Sequence, residues 1–189
     1  MPNLYIIAGC NGAGKTTASF TVLPEVLSCK EFVNADEIAR GLSPFQPETV
    51  AIQAARLMLK RIEELMEEKA DFAFETTLAS RTYVNTIKLA KELDYTVTLL
   101  YFWLPSPEVA KNRVKQRVLR GGHNIPEQTI ISRYYSGIKN LFELYMNEVD
   151  EWALVDSAEI NYKLIASSKK GLDTIVNETL FQEIKKQSI

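Results

Sequence analysis

Five strand-like runs recur along the chain, at Leu4–Ala8, Glu31–Asn34, Phe72–Phe74, Thr96–Leu104 and Trp152–Val155, each separated from the next by a stretch of helical periodicity. Short runs with little polar alternation are what strands buried on both faces of a parallel sheet look like. Between the second and third runs, PETVAIQAARLMLKRIEELMEEK places apolar residues at 51, 54, 55, 58, 62, 65 and 66, opposite a Glu/Lys face. That is the stripe of an amphipathic helix. The alternation predicts an α/β fold, a parallel sheet of about five strands flanked by helices. A short strand at Tyr162–Ala166 and a lysine-bearing helix from about Leu172 are expected to close the chain. No repeat, low-complexity tract or linker composition divides it, so one domain over residues 1–189 is expected.

Ligands of such sheets bind at the carboxyl ends of the strands, which directs attention to the stretch GCNGAGKT at residues 9–16, directly after the first run. It satisfies G-x-x-x-x-G-K-[ST] through Gly9, Gly14, Lys15 and Thr16, and a helical pattern (Ala18, Val22, Val26, with Pro24 as a kink or end) follows. Strand, glycine turn and helix together make a phosphate cradle. The backbone N–H groups of Asn11, Gly12, Ala13, Gly14, Lys15, Thr16 and Thr17 are expected to converge on a phosphate at the positive helix end. Lys15 reaches the outer phosphates, and the Thr16 hydroxyl is the candidate Mg²⁺ ligand. ATP and Mg²⁺ are the cofactors this predicts.

Three polar groups end later strands: Asn34-Ala35-Asp36-Glu37, Glu75-Thr76-Thr77 and Asp156-Ser157. Asp36 is the candidate base for an acceptor hydroxyl, against a plain helix-cap role for Asn34 or Asp36. Glu75 and Thr77 offer acceptor-binding groups or water-mediated support for Mg²⁺, with Thr77 or Ser80 alternatively capping the next helix. In EVAKNRVKQRVLRGGHNIPE, Arg113, Arg117 and Arg120 share one helical face beside the apolar Ala110, Val114 and Val118. Gly121-Gly122 ends that helix, Ile125-Pro126-Glu127 opens the next, and Arg133 follows on it. A kinase needs cations over the transferring phosphoryl group. The region of about 106–149 is therefore read as a helical arginine lid carrying Arg117, Arg120 and Arg133, with His123 as a candidate substrate contact.

Charge and composition narrow the partners. The formal net charge of −2 gives no general attraction to nucleic acid or acidic membrane. Cys10 and Cys29 have no metal or disulfide spacing, which suits a reducing interior. The apolar start is too short for a signal peptide and no run is long enough to span a bilayer, so a cytoplasmic location is expected. Neither the N-K-x-D of GTPases nor an LSGGQ-like signature is present, which leaves a small-molecule kinase in front. The alternatives are a kinase of another hydroxylated metabolite, nucleoside or antibiotic, or an ATP-binding switch without a small acceptor.

In order, GCNGAGKTT, VNADEIARGLSP, FAFETTLAS and RVLRGGHNIPEQTIISRYY resemble the zeta toxin family of phosphate-loop kinases, in its stand-alone chromosomal branch, over roughly residues 4–157. The resemblance implies a fold similar to nucleotide and shikimate kinases and transfer of phosphate to the 3'-hydroxyl of the amino sugar in UDP-N-acetylglucosamine. It implies ATP and Mg²⁺ at Lys15 and Thr16, Asp36 as base, and Glu75 with Thr77 on the sugar-nucleotide side. The segment around Gly121-Gly122-His123 departs from the family's two separated arginines. A separate antitoxin protein is a candidate partner.

Overall fold

The computed structural model describes residues 1–122, 124–159 and 161–188. Its centre is one seven-stranded sheet in the order β2-β3-β1-β4-β5-β6-β7. The strands are β1 (Asn3–Ala8), β2 (Glu31–Val33), β3 (Phe72–Thr76), β4 (Thr96–Trp103), β5 (Glu151–Asp156), β6 (Lys163–Lys169) and β7 (Leu172–Ile175). All pairings from β2 through β5 are parallel. The all-apolar segments behave as their patterns require: Leu4, Ile6, Phe72, Ala73, Phe74, Val97 and Leu99 are wholly buried between helical layers.

The helices are α1 (Lys15–Thr21), α2 (Ala35–Leu42), α3 (Ala51–Glu67), α4 (Tyr83–Glu92), α5 (Pro107–Leu119), α6 (Glu127–Asn140), the short α7 (Met146–Glu148) and α8 (Glu178–Lys186). Asn34 caps α2, accepting from the N–H groups of Asp36 and Glu37, and Ser106 caps α5. On α3, Ala54, Met58, Ile62, Leu65 and Met66 are buried, as the stripe requires, whereas Ala51 and Ala55 remain exposed.

Four expectations differ from what forms. The sheet has seven strands rather than about five, because β6 and β7 extend it with antiparallel pairings. The segment from Leu172 is strand β7, reached by a turn at Gly171, and the helix waits for its Asn177 cap. Neither Thr77 nor Ser80 caps α4, whose N-cap is Thr82 without a side-chain bond. At Pro24 the end of α1 widens into a π turn over Val22–Val26, which turns Leu23 rather than Val26 into the core.

The topology fixes where a ligand goes. β1 lies between β3 and β4, so the connections leaving it and its neighbours diverge to opposite sides at its carboxyl end. A crevice opens at such a switch point, and the chain that lines it is residues 9–16.

Candidate functional site

After β1 the chain turns through Gly9, which backs onto the backbone of Phe102 at the end of β4. Gly14 then caps α1 with φ 84°, a left-handed conformation open to glycine. Ala13 N–H donates to the Cys10 carbonyl, closing the loop. Asn11, Gly12, Gly14, Lys15, Thr16 and Thr17 line a cavity of about 260 Å³ together with Asp36, Glu75, Arg113 and Arg117. The glycine-rich loop therefore wraps a partly open space, with Gly9 and Ala13 supporting it from behind.

Within this cavity the polar side chains are locked to one another. Lys15 Nζ donates to the Cys10 carbonyl at 3.1 Å and lies 3.4 Å from Glu75 Oε1, the two side chains being only 5% and 10% exposed. Glu75 Oε2 accepts from Thr16 Oγ1 at 2.7 Å and from Asn34 Nδ2 at 2.8 Å. Glu75 is thus the hub of the phosphate end, in direct contact with Lys15 and Thr16, and is not committed to an acceptor alone. Burial pushes the Cys10 thiol up to about 11, Lys15 opposing the shift only in part.

The donor set suits a hard cation. Thr16 and Glu75 present oxygen on one wall of the cradle, and no group of three His, Cys, Asp or Glu side chains is gathered for a metal among the described residues. Mg²⁺ is ordinarily held this way, by one or two protein oxygens with phosphate and water completing the shell.

A second cavity of about 220 Å³ adjoins the first and shares Asn11, Lys15, Asp36 and Glu75 with it. Its remaining walls include Asn34, Met58, Thr76, Thr77, Ser80, Tyr83 and Arg133. Asp36, in the first turn of α2, stands where the two spaces meet. Arg133 of α6 reaches across to Asn11, donating to Oδ1 at 3.2 Å. The loop bearing Thr77 and Ser80 is held from behind: Asn140 Nδ2 donates to the carbonyls of Leu78 and Ala79, and the Tyr145 hydroxyl donates to that of Ser80.

The expected arginine cover divides among different places. Arg113 and Arg117 share a face of α5, Arg120 is its C-cap residue, and all three line an outer cavity of about 850 Å³ with Arg40 and Gly122. Only Arg113 and Arg117 also reach the phosphate cradle. Arg113 is a tether, donating to the carbonyls of Gly12, Ser157 and Ala158. Arg120 stays at the outer cavity, and Arg133 sits in the 220 Å³ space instead. His123 lies outside the described residues. The sequence reading did not single out Met58 or Tyr83, because a residue on an apolar helical stripe reads as core.

The sequence pattern of an AAA domain matches residues 4–132, more than half of the chain. The chain belongs to this AAA-domain family. An uncharacterized protein of Haemophilus influenzae is 30% identical over 126 residues, which cover 67% of this chain and 88% of that protein. Among solved structures, the AvrRxo1-ORF1:AvrRxo1-ORF2 complex with sulphate ions superposes with a TM-score of 0.82 at 20% identity, and the complex with ATP with 0.80 at 20%. Both cover 100% of this chain, which spans only 65% of the matched one. The PezAT chromosomal toxin-antitoxin system of Streptococcus pneumoniae gives 0.65 at 14% identity, covering 99% of this chain and 86% of that one. Shikimate kinase from Acinetobacter baumannii, in complex with shikimate, gives 0.50 at 21%, covering 97% and 90%. The fold of these structures is the fold of this chain. No helix among the described residues is long and apolar enough to cross a membrane.

Proposed function

We propose that this chain is an ATP- and Mg²⁺-dependent kinase that phosphorylates a hydroxyl of a small acceptor, with UDP-N-acetylglucosamine or a related sugar nucleotide as the first candidate. The observation that carries this reading is the position of Asp36, which lines both the phosphate cradle and the 220 Å³ cavity. A hydroxyl in the second cavity would face a phosphoryl group in the first, with a carboxylate at the boundary between them. Asp36 takes the hydroxyl proton as the acceptor oxygen bonds to phosphorus and the bond to the ADP oxygen breaks. Lys15 and Arg117 neutralise the charge that spreads over the transferring group. Mg²⁺, held by Thr16 and phosphate oxygens, would screen the β- and γ-phosphates. ATP as donor is supported by the neighbour crystallised with ATP.

The 220 Å³ space is smaller than the roughly 300–1,000 Å³ usual for whole ligands. It suits the hydroxyl-bearing ring, with the rest of a sugar nucleotide lying outside it. Thr77, Ser80 and Arg133 supply hydroxyl and guanidinium contacts, and Tyr83 an aromatic wall. We read residues 1–189 as one kinase domain in the cytoplasm, its lid formed by about 106–149. Because AvrRxo1 and PezAT are described as two-component assemblies, a separate antitoxin-like protein belongs to the proposal.

The test is incubation with Mg²⁺ and ATP, with and without UDP-N-acetylglucosamine, following ADP release and the mass of the sugar nucleotide. Gain of one phosphate, lost in Lys15→Ala, is the expected result. Hydrolysis without mass gain would reject this acceptor and send the search to other hydroxylated metabolites. Hydrolysis indifferent to every acceptor would instead favour an ATP-driven switch.

A further inference from the structure

Asn34 is bonded at both ends of its amide. Its Nδ2 donates to Glu75 Oε2 at 2.8 Å, while its Oδ1 accepts from Asp36 N at 2.8 Å and Glu37 N at 3.3 Å. The residue is 5% exposed, so water does not compete effectively for either end. An N-cap alone is served equally well by Asp or Ser. What asparagine adds is the N–H that reaches Glu75, and Glu75 is the residue on which Lys15 and Thr16 converge.

We propose that Asn34 is a positioning residue that couples the nucleotide end of the site to the acceptor end, an inference that rests on the kinase reading above. Lys15 is paired with Glu75 Oε1. Triphosphate oxygens would compete for that ammonium, and as Lys15 turns to them Glu75 loses this cationic partner. The carboxylate then keeps its orientation through Oε2, which Asn34 and Thr16 both hold. So long as it does, the Thr16 hydroxyl hydrogen stays committed to Glu75 and the oxygen lone pairs remain directed into the cradle. Asn34 can act as the fixed end because two amides of α2 anchor its oxygen. The same anchorage sets the first turn of α2, where Asp36 is the second residue. Nucleotide that holds Glu75 through Thr16 therefore also steadies Asn34, and with it the first-turn backbone that carries Asp36.

Asn34→Ser, Asn34→Asp and the reciprocal pair Asn34→Asp/Glu75→Gln test this. Three quantities are read: thermal melting, binding of a non-hydrolysable ATP analogue with and without Mg²⁺, and amide exchange at Asp36 and Glu37. Asn34→Ser retains a cap oxygen and is expected to melt near wild type, yet to need about 10-fold more Mg²⁺ for half-maximal nucleotide binding, the scale of losing an outer-shell partner. Nucleotide with Mg²⁺ is expected to raise protection of the Asp36 and Glu37 amides in wild type but not in Asn34→Ser. Asn34→Asp alone sets two carboxylates against each other and should lose both stability and Mg²⁺ response. The reciprocal pair restores the 34–75 bond with its polarity reversed and should recover stability toward wild type, but the amide nitrogen now facing Thr16 cannot accept from its hydroxyl, so the weakened Mg²⁺ response should persist. Wild-type Mg²⁺ dependence and ligand-linked protection in Asn34→Ser, or a reciprocal pair as unstable as Asn34→Asp, would overturn the coupling and leave Asn34 a simple cap. None of these readouts uses an acceptor, so failure to find phosphotransfer would reject the kinase reading separately.

Discussion

The Thr16 hydroxyl donates to Glu75 Oε2 at 2.7 Å, while the other oxygen of the same carboxylate faces Lys15 at 3.4 Å. One acidic side chain, from the end of β3, therefore satisfies the two loop residues that the proposed function assigns to nucleotide. In Glu75→Ala, Lys15 is left as an uncompensated buried charge, and breaking such a pair costs about 3–5 kcal/mol. Phosphate oxygens can replace the missing anion. The nucleotide-free variant is thus expected to melt well below wild type, and ATP should raise its melting temperature by more than it raises that of wild type. An equal shift in the two proteins would show that Lys15 does not exchange Glu75 for phosphate.

Asp36 makes a different prediction because its carboxylate is exposed at the junction of two cavities rather than locked in the cluster. Only its backbone N–H is held, by Asn34. Asp36→Asn should therefore fold normally and bind ATP with unchanged affinity, while phosphotransfer to a working acceptor falls by about 10²- to 10⁴-fold, the usual contribution of a general base. Isothermal titration with a non-hydrolysable analogue, paired with steady-state turnover, separates the two. Full turnover in the variant would remove Asp36 from the chemistry.

Much of this arrangement is legible in the sequence where the determinants are local. The phosphate loop is eight consecutive residues whose spacing is the geometry, and β1, β3 and β4 announce themselves because central strands of a parallel sheet need little polar alternation. The tail misleads for an equally local reason. Leu172, Ile175 and Val176 fall at helical spacing, yet they lie 76%, 40% and 61% exposed and belong to or follow an edge strand. The better signals were the turn at Lys170-Gly171 and Asn177 ahead of Glu178, which cap and start α8. The arginines defeat sequence reasoning altogether. Arg113, Arg117 and Arg120 look equivalent on a helical wheel, and only the fold brings Ser157 and Ala158, more than 40 residues away, to Arg113.

That difference between neighbouring arginines is measurable. Arg113 joins α5 to the phosphate loop and to the chain after β5 through three backbone carbonyls. Arg113→Ala should lose stability on the scale of about 1–3 kcal/mol, the cost of leaving buried polar groups without partners, and bind nucleotide poorly as the loop loosens. Arg117 borders both the cradle and the 850 Å³ outer cavity. Arg117→Ala should instead lower turnover by about 10²- to 10³-fold, the scale of removing one transition-state donor, with nucleotide affinity less affected than in Arg113→Ala. Denaturant unfolding beside turnover numbers checks the contrast, which is lost if the two variants behave alike.

Cys10 sits in the phosphate loop with 2% of its surface exposed, and burial pushes its thiol from 9.0 up to about 11. In the unfolded chain the thiol ionises near 9, whereas the folded protein holds the proton until about 11. The folded state binds more protons across that interval, so stability must fall as pH rises through it. Nothing is lost below pH 9, and by the end of the interval the loss reaches about 2–3 kcal/mol, at about 1.4 kcal/mol per unit. Tyr145, raised by burial to about 12, and Cys29, raised to about 11, add alkaline losses of the same sign. The Cys10 share is isolated by comparison with Cys10→Ala, whose unfolding free energy should decline less steeply between pH 9 and 11. At neutral pH the same buried, protonated thiol should resist alkylation in the native protein and react on unfolding. Rapid alkylation of native Cys10, or parallel pH profiles for the two proteins, would mean that the phosphate loop opens to solvent far more readily than its packing indicates.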